Sequence, residues 1–250
     1  MTKMNQVQEH VTILGTAFIP ETLEGMTKRL VGHIEEVEKA FVVTANPEIA
    51  LHAYENEEYR RIIQKATYVT ADGIGIVKAA KWSNQHLPER VAGFDLFMGL
   101  LHEANLKGYR VYLLGARPEV FDKAKQKIKA DYPNITLAGG HHGYFDLDDK
   151  KIGENVKASK PDLVFVALGF PRQEEWIAKE IGRMEQGVFI GIGGSFDVLA
   201  GEVKRAPKAW QKLNLEWLYR LLSQPTRITR MLALPKFVLK VKREQGKSSG

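Results

Sequence analysis

The sequence contains no cysteine and no long apolar run. Without cysteine, the protein can have no disulfide framework, no cysteine-ligated zinc and no cysteine nucleophile. No stretch approaches the roughly 18 to 20 consecutive apolar residues that a membrane-spanning helix requires. The polar N-terminal segment leads into only a short apolar run, unlike a secretory signal peptide. We therefore expect a cytoplasmic protein whose contact with any membrane is peripheral.

Positive charge is concentrated at the C-terminal end of the chain. The formal net charge is +6, and residues 201–250 hold 12 Lys and Arg against 3 acidic residues. The rest of the chain holds 24 basic and 27 acidic residues, so it is slightly negative. This asymmetry indicates an anionic partner that docks at the C-terminal end and not over the whole surface.

Short apolar runs alternate with longer segments of helical spacing. The apolar runs predict buried strands, and the segments between them predict crossover helices. This alternation is typical of an α/β fold with a mostly parallel sheet that is covered on both faces. The predicted strands are 11–14, 41–44, 67–70, 111–114, 163–168 and 188–192, and the main predicted helices are 47–65, 73–82, 118–132 and 171–184.

The alternation stops at about Gly201, where large apolar residues begin to recur at helical spacing. Basic residues lie among them, a composition expected of helices that rest in a bilayer interface. We therefore divide the chain into an α/β catalytic core, 1–200, and a basic amphipathic helical appendage, 201–250. A second helical run begins before Pro235, and the polar end 245–250 is expected to fray.

Ligands of open parallel sheets bind outside the carboxyl ends of the strands. Four segments follow predicted strands in this way: 44–47, 70–73, 169–173 and 191–197. Within them, Asp72 could accept a proton from a substrate hydroxyl. It could instead cap the following helix, and position alone favours the cap.

The segment 191–195 reads Gly-Ile-Gly-Gly-Ser. The third glycine of a dinucleotide fingerprint would fall at position 196, which is Phe196, so the fingerprint fails. What remains is a glycine-rich turn that could present backbone N–H groups to a phosphate, or that could simply join a strand to a helix. The sequence does not decide the role of Arg90 either, because this residue could neutralise a phosphate or pair with Asp95.

His141 and His142 lie among glycines in a predicted loop. Two adjacent histidines without a third ligand make a weak metal site. We therefore predict no metal site.

Five motifs in series resemble the WecG/TagA/CpsF glycosyltransferase family over nearly the whole chain. The resemblance implies a Rossmann-like variant of the GT-E type, with no metal or other cofactor, and is compatible with a homo-oligomer. The motifs are Thr44-Ala-Asn-Pro47, Ala71-Asp-Gly73, Arg90-Val-Ala-Gly-Phe-Asp95, Leu168-Gly-Phe-Pro-Arg-Gln-Glu174 and Gly191-Ile-Gly-Gly-Ser-Phe-Asp197.

The C-terminal segment 215–220, followed by Arg227 and Arg230, resembles the teichoic-acid branch of that family. This branch implies inverting transfer of N-acetylmannosamine from UDP to the 4-hydroxyl of GlcNAc-diphospho-undecaprenol, in synthesis of the wall teichoic acid linkage unit. The alternative is a related enzyme that uses another UDP-sugar, such as UDP-ManNAcA. Both imply a polyprenyl-diphosphate acceptor at the inner face of the cell membrane and an anionic membrane surface as partner.

The resemblance also assigns roles to individual residues. Asp72 matches the catalytic base, Thr44 and Asn46 match a sugar-positioning motif, and Arg90 matches another active-site position. A second set of residues matches segments that bind the nucleotide, and a third matches tail arginines that meet the lipid diphosphate and the membrane. The nucleotide set is Gln173, Gly193, Gly194 and Asp197, and the tail set is Arg220, Arg227 and Arg230.

Two other classes of protein remain as alternatives. The pI near 9.3 would suit a nucleic-acid-binding α/β protein, but Trp and Leu at helical spacing among the arginines suit a membrane interface better. We therefore expect no nucleic-acid partner. An NAD(P)-dependent oxidoreductase would share the α/β alternation, and the broken glycine fingerprint argues against it.

Overall fold

A six-stranded sheet, with all strands parallel, forms the centre of the protein. The computed structural model describes residues 10–223 and 232–248. The strands are β1 (Val11–Ile13), β2 (Thr16–Phe18), β3 (Lys39–Ala45), β4 (Tyr68–Ala71), β5 (Arg110–Gly115), β6 (Thr136–His141), β7 (Leu163–Ala167) and β8 (Gly187–Gly191). The strand order in the central sheet is β4-β3-β8-β7-β5-β6.

Helices cover both faces of this sheet. The helices of the N-terminal half are α1 (Leu23–Glu35), α2 (Pro47–Glu55), α3 (Glu57–Ile63), α4 (Ile74–Trp82), α5 (Gly93–Lys107) and α6 (Pro118–Asp131). Those that follow are α7 (Lys150–Ser159), α8 (Arg172–Glu180), α9 (Ser195–Leu199), α10 (Lys208–Lys212), α11 (Glu216–Ser223) and α12 (Ala233–Ser248).

The central strands read as continuous apolar runs because both of their faces are buried. In β3, Phe41 and Val43 join one hydrophobic cluster with Trp176 of α8, whereas Ala40 and Val42 join a second cluster on the opposite face. The prediction of an α/β fold with a Rossmann-like parallel sheet and C-terminal helices is confirmed. All carboxyl ends of the parallel strands therefore meet at one edge of the sheet.

Three predictions about elements of the α/β core are wrong. The run 11–14 lies outside the central sheet, because it turns at Leu14 and Gly15 and pairs antiparallel with β2. The predicted helix 47–65 is interrupted at Asn56, whose side chain caps α3 by accepting a hydrogen bond from the Tyr59 N–H at 2.9 Å. This cap makes two helices where periodicity predicts one.

The third wrong prediction concerns His141, which ends strand β6 and does not lie in a loop. The strand was hidden by its glycines, which are poor strand formers. A Cβ at Gly139 would lie 2.6 Å from the Tyr112 ring, and one at Gly140 would lie 2.7 Å from the Leu113 carbonyl oxygen. Glycine is therefore required at these two positions, because a Cβ there would lie too close to Tyr112 and Leu113 of β5.

The C-terminal helices pack against the core. Helix α12 lies on α2 and α4 and buries Phe237 and Val241 completely. Pro235 lies in the first turn of α12, where a missing N–H costs no helical hydrogen bond. The predicted fraying from 245 is wrong as far as Ser248, since the helix continues to that residue and Gln245 donates to Ser83 Oγ at 2.9 Å.

Among the described helices, none combines the length and apolar character needed to cross a bilayer. The boundary between core and appendage at residue 200 stays a prediction. Arg227 and Arg230 lie outside the described residues, and Arg220 belongs to α11.

Candidate active site

A cavity of about 430 Å³ opens beyond the carboxyl ends of β3 and β4. Three of the predicted catalytic residues line it, namely Asn46, Asp72 and Arg90. The opposite wall comes from the C-terminal segment and includes Glu216, Trp217, Leu221, Leu234 and Val238. The cavity is therefore shared between the α/β core and the helices that follow residue 201.

Asp72 lies directly after β4, and its backbone N–H donates to the Ala45 carbonyl at 3.0 Å. Helix α4 begins at Ile74, and its N-cap is Gly73 with a φ of 115°. Asp72 is therefore one residue before the cap position, and its interpretation as the helix cap is wrong. The positive φ requires glycine at 73 and turns the chain so that the half-buried Asp72 side chain borders the cavity.

Thr44 and Asn46 flank the end of β3 in different ways. Thr44 is buried beneath the cavity, where its hydroxyl donates to the Gly191 carbonyl at 3.0 Å. This hydrogen bond ties β3 to β8. The start of α5 also lies close to Thr44, since a Cβ at Gly93 would be 2.9 Å from the Thr44 Oγ1. Asn46 caps α2 by accepting from the Ile49 N–H at 3.0 Å. Its side-chain NH₂ group is the part that could donate to a ligand in the cavity.

Arg90 does not pair with Asp95, so the alternative in which these two residues form a salt bridge is wrong. Its guanidinium Nη1 lies 2.6 Å from the Glu216 carboxylate Oε2. Asp95 instead accepts from Arg205 at 2.6 Å, and Arg205 Nε lies 3.5 Å from Glu216 Oε1. The Arg205 guanidinium also lies over the Phe94 ring at 4.9 Å. We refer to Asp95, Arg205, Glu216 and Arg90 as the ion-pair network.

Gln173 supports the glycine-rich turn after β8 from within the protein. Its Oε1 accepts from the Gly193 N–H at 2.9 Å, and its Nε2 donates to Glu174 Oε1 at 2.6 Å. A Cβ at Gly191 would lie 2.7 Å from the same Nε2 atom. The Gly193 N–H is therefore engaged by a side chain, so it is not presented to a phosphate as the sequence allowed.

Glu174 is completely buried beside this turn. Burial raises the pKa of Glu174 to about 7, against the hydrogen bond from the Gln173 amide that lowers it. Tyr59 faces the same carboxyl group, and burial together with that carboxylate raises the pKa of its hydroxyl. Glu174 Oε1 accepts from the NH₂ group of Gln173, and the Gln173 oxygen is thereby directed towards the Gly193 N–H.

The predicted nucleotide-binding residues do not line the cavity that contains Asp72. Gly194 precedes α9, and Asp197 in that helix lies 4.0 Å from the Arg117 guanidinium. The two regions are nevertheless adjacent, because the Thr44 hydroxyl joins the end of β3 to Gly191 at the start of the turn. The catalytic roles and the nucleotide-binding roles assigned from the sequence stay predictions. The catalytic set is Thr44, Asn46, Asp72 and Arg90, and the nucleotide set is Gln173, Gly193, Gly194 and Asp197.

Apolar side chains surround the cavity on the side of the C-terminal helices. Trp82 and Trp217 line it and remain 41% and 38% exposed. Leu213 and Leu222 on the flanking helical segment are more exposed still. Lys242 lies 5.9 Å from the centre of the Trp82 ring, so a basic residue accompanies the apolar ones. The surface thus combines exposed apolar side chains with a basic one, and its docking at a bilayer interface stays a prediction.

Within residues 10–223 and 232–248, no group of three or more His, Asp or Glu side chains could hold a metal ion. Metal independence stays a prediction.

Two residues of the cavity wall, Arg205 and Glu216, were not predicted from the sequence. The available signal was Glu216 itself, one of 3 acidic residues in a segment with 12 basic ones.

Comparisons with known proteins find a matching family and similar curated proteins. The sequence profile of the Glycosyl transferase WecG/TagA/CpsF family matches residues 11–249. A Bacillus spizizenii protein named N-acetylglucosaminyldiphosphoundecaprenol N-acetyl-beta-D-mannosaminyltransferase is 42% identical over 217 residues, which cover 87% of this chain and 84% of the relative. A Staphylococcus aureus (strain MW2) protein of the same name is 40% identical over 239 residues, covering 95% and 94%.

Proposed function

This chain belongs to the WecG/TagA/CpsF glycosyltransferase family, and we propose that it transfers N-acetyl-β-D-mannosamine to N-acetylglucosaminyldiphosphoundecaprenol. The match over residues 11–249 confirms the resemblance drawn from the five motifs. The proposed donor is UDP-ManNAc, and the proposed pathway is synthesis of the wall teichoic acid linkage unit. The observation that carries the proposal is the meeting of Asn46, Asp72 and Arg90 in one cavity.

In the proposed reaction, Asp72 acts as general base. Its carboxylate accepts the proton of the acceptor 4-hydroxyl while that oxygen forms a bond to the anomeric carbon of the donor. The bond between the anomeric carbon and the diphosphate oxygen breaks, and UDP departs with the electron pair. Because attack comes from the face opposite UDP, the configuration at the anomeric carbon inverts.

The departing diphosphate gains negative charge that the protein must stabilise. Arg90 borders the cavity with Asp72, and guanidinium groups match phosphate oxygens with two parallel hydrogen bonds. The tail arginines Arg220, Arg227 and Arg230 are proposed to meet the diphosphate of the lipid acceptor. With these cations and backbone N–H donors, the reaction is proposed to need no metal ion.

We propose that the exposed apolar side chains around the cavity rest on the inner face of the cell membrane. Trp82 and Trp217 lie at the cavity wall, and aromatic rings with one apolar side and one polar edge favour the headgroup region. Such docking would bring a lipid-linked diphosphate to the cavity without moving its polyprenyl chain into water. The partners are thus a UDP-sugar, a lipid-linked acceptor and an anionic surface, and no nucleic acid.

A product assay tests the proposal directly. Purified protein is offered UDP-ManNAc, UDP-ManNAcA, UDP-GlcNAc and UDP-glucose in turn with synthetic undecaprenyl-diphosphate-GlcNAc in anionic vesicles. We expect a disaccharide lipid from UDP-ManNAc and a β-1,4 linkage in the product. Transfer from UDP-ManNAcA alone would establish the alternative donor, and an absence of product from every donor would refute the assignment.

A further inference from the structure

The segment that carries Arg90 is held at both ends by the C-terminal part of the chain. Arg90 at its start pairs with Glu216 of α11 at 2.6 Å, and Asp95 at its end pairs with Arg205 at 2.6 Å. Arg205 and Glu216 contact each other at 3.5 Å. Two residues of one segment are thereby joined to two residues more than a hundred positions away.

Glu216 divides its two carboxylate oxygens between two guanidinium groups. Oε2 contacts Arg90, and Oε1 contacts Arg205. The Glu216 side chain is only 11% exposed and that of Arg90 only 20%. At this degree of burial, loss of one partner leaves a poorly solvated charge behind. The position of the Arg90 guanidinium therefore depends on where Glu216 is held.

Arg205 is itself held from two other directions. Asp95 accepts a hydrogen bond from its Nη2, and the Phe94 ring lies 4.9 Å beneath its guanidinium. A guanidinium that is paired and stacked in this way has little rotational freedom. Asp95 and Phe94 thus hold Arg205, and Arg205 holds Glu216. Glu216 in turn holds Arg90.

A different interpretation is that Glu216 substitutes for a ligand phosphate on Arg90 and must be displaced before catalysis. That role requires a carboxylate that leaves readily. Both oxygens of Glu216 are engaged by guanidinium groups, and one of these, Arg205, is itself paired with Asp95. The geometry therefore favours support over obstruction.

We propose that Glu216 and Arg205 are positioning residues that fix the Arg90 guanidinium in the cavity. This inference rests on the proposed function, in which Arg90 stabilises the departing diphosphate. Neither residue needs to touch the substrate, because each acts through Arg90. It follows that Arg90 is correctly placed only while α11 is docked on the core.

The first test observes Arg90 without measuring turnover. The side-chain Nη–Hη signals of arginine are recorded by NMR in the full-length protein, because Nη1 makes the contact with Glu216, and the Arg90 signal is assigned with Arg90→Lys. In Glu216→Gln, the amide can accept from one guanidinium but presents its NH₂ group to the other. We expect water exchange at the Arg90 signal to accelerate roughly 10-fold or more.

Glu202→Gln is the matched control, because Glu202 also belongs to the C-terminal segment but pairs with Lys123 at 2.5 Å and does not line the cavity. The control should leave the Arg90 signal unchanged. An Arg90 signal that is equally protected in wild type and Glu216→Gln would overturn the inference, whether or not the protein transfers a sugar.

The second test is a double-mutant cycle on transfer to the lipid acceptor. We expect Glu216→Gln to reduce kcat roughly 10-fold or more, with the KM for UDP-ManNAc changed far less because the leaving diphosphate gains its extra charge only in the transition state, and Glu216→Asp to restore part of the loss. In an Arg90→Ala background, Glu216→Gln should add almost nothing, since its effect passes through Arg90. Independent, multiplicative losses would contradict the positioning role. A wild-type protein with no transferase activity would refute the proposed function and leave the NMR result to decide this inference.

Discussion

Replacing Glu174 with Gln should change how the free energy of unfolding depends on pH. Glu174 is completely buried, and its pKa in the folded protein is about 7 against an ordinary value of 4.5. The raised pKa means that the folded protein binds the proton more tightly than the unfolded chain does. Between these two pKa values, ionisation is favoured in the unfolded state, so this group makes the protein less stable as pH rises.

The size of the effect follows from the difference between the two pKa values. At about 1.4 kcal/mol for each pKa unit, the cost approaches roughly 3 kcal/mol once the pH exceeds 7. A neutral amide of the same shape does not ionise and avoids this cost. The stability of Glu174→Gln relative to wild type should therefore rise by up to about 3 kcal/mol between pH 5 and pH 8.

Urea unfolding of both proteins at pH 5, 6, 7 and 8 measures this difference directly. Glu180→Gln is the matched control, since Glu180 is buried on the same helix but pairs with Arg183 at 3.1 Å. A His52→Gln background excludes the imidazole that packs on Tyr59 at 4.9 Å as a source of the same slope. A constant difference between Glu174→Gln and wild type across this range would refute the reasoning.

Three further predictions concern the turn, the membrane surface and the tail. Gln173→Leu should weaken UDP binding at least several-fold by calorimetry, because the glycine-rich turn after β8 loses the side chain that holds it in place. Unchanged affinity would separate this turn from the nucleotide. Leu222→Gln should reduce flotation with anionic vesicles. Leu106→Gln, which changes an equally exposed leucine on α5, should not. Equal flotation of the two variants would show that the surface around Leu222 does not dock on the membrane. Arg227→Ala should slow transfer to the lipid acceptor more than it weakens UDP binding, and equal losses would point to misfolding.

The parallel sheet could be predicted from sequence because burial on both faces leaves a local signal. Strands such as Leu163–Ala167 and Gly187–Gly191 are buried at every position and so read as unbroken apolar runs. Strand Thr136–His141 is partly exposed and contains two glycines, so it leaves no such run. Its place in the sheet depends on close packing against the Tyr112 ring, which no local pattern contains.

The candidate site was predictable in part for the same physical reason. Asp72 and Asn46 follow strands directly, so the rule for parallel sheets places them at one edge. The partner of Arg90 was not predictable, because Asp95 is near in sequence and Glu216 is not. The structure pairs Arg90 with the distant residue through a tail that folds back on the core. Likewise, nothing local distinguishes the buried Glu174 from the neighbouring Glu175.

Transfer of the sugar by Asp72→Asn tests the central claim most directly. Asparagine keeps the shape and hydrogen bonding of the side chain but cannot accept the proton of the 4-hydroxyl. With UDP-ManNAc and undecaprenyl-diphosphate-GlcNAc in vesicles, we expect turnover to fall roughly 100-fold or more, while UDP binding and thermal stability stay close to wild type. Near-normal turnover of Asp72→Asn would contradict the assignment of this residue as the base of the glycosyl transfer.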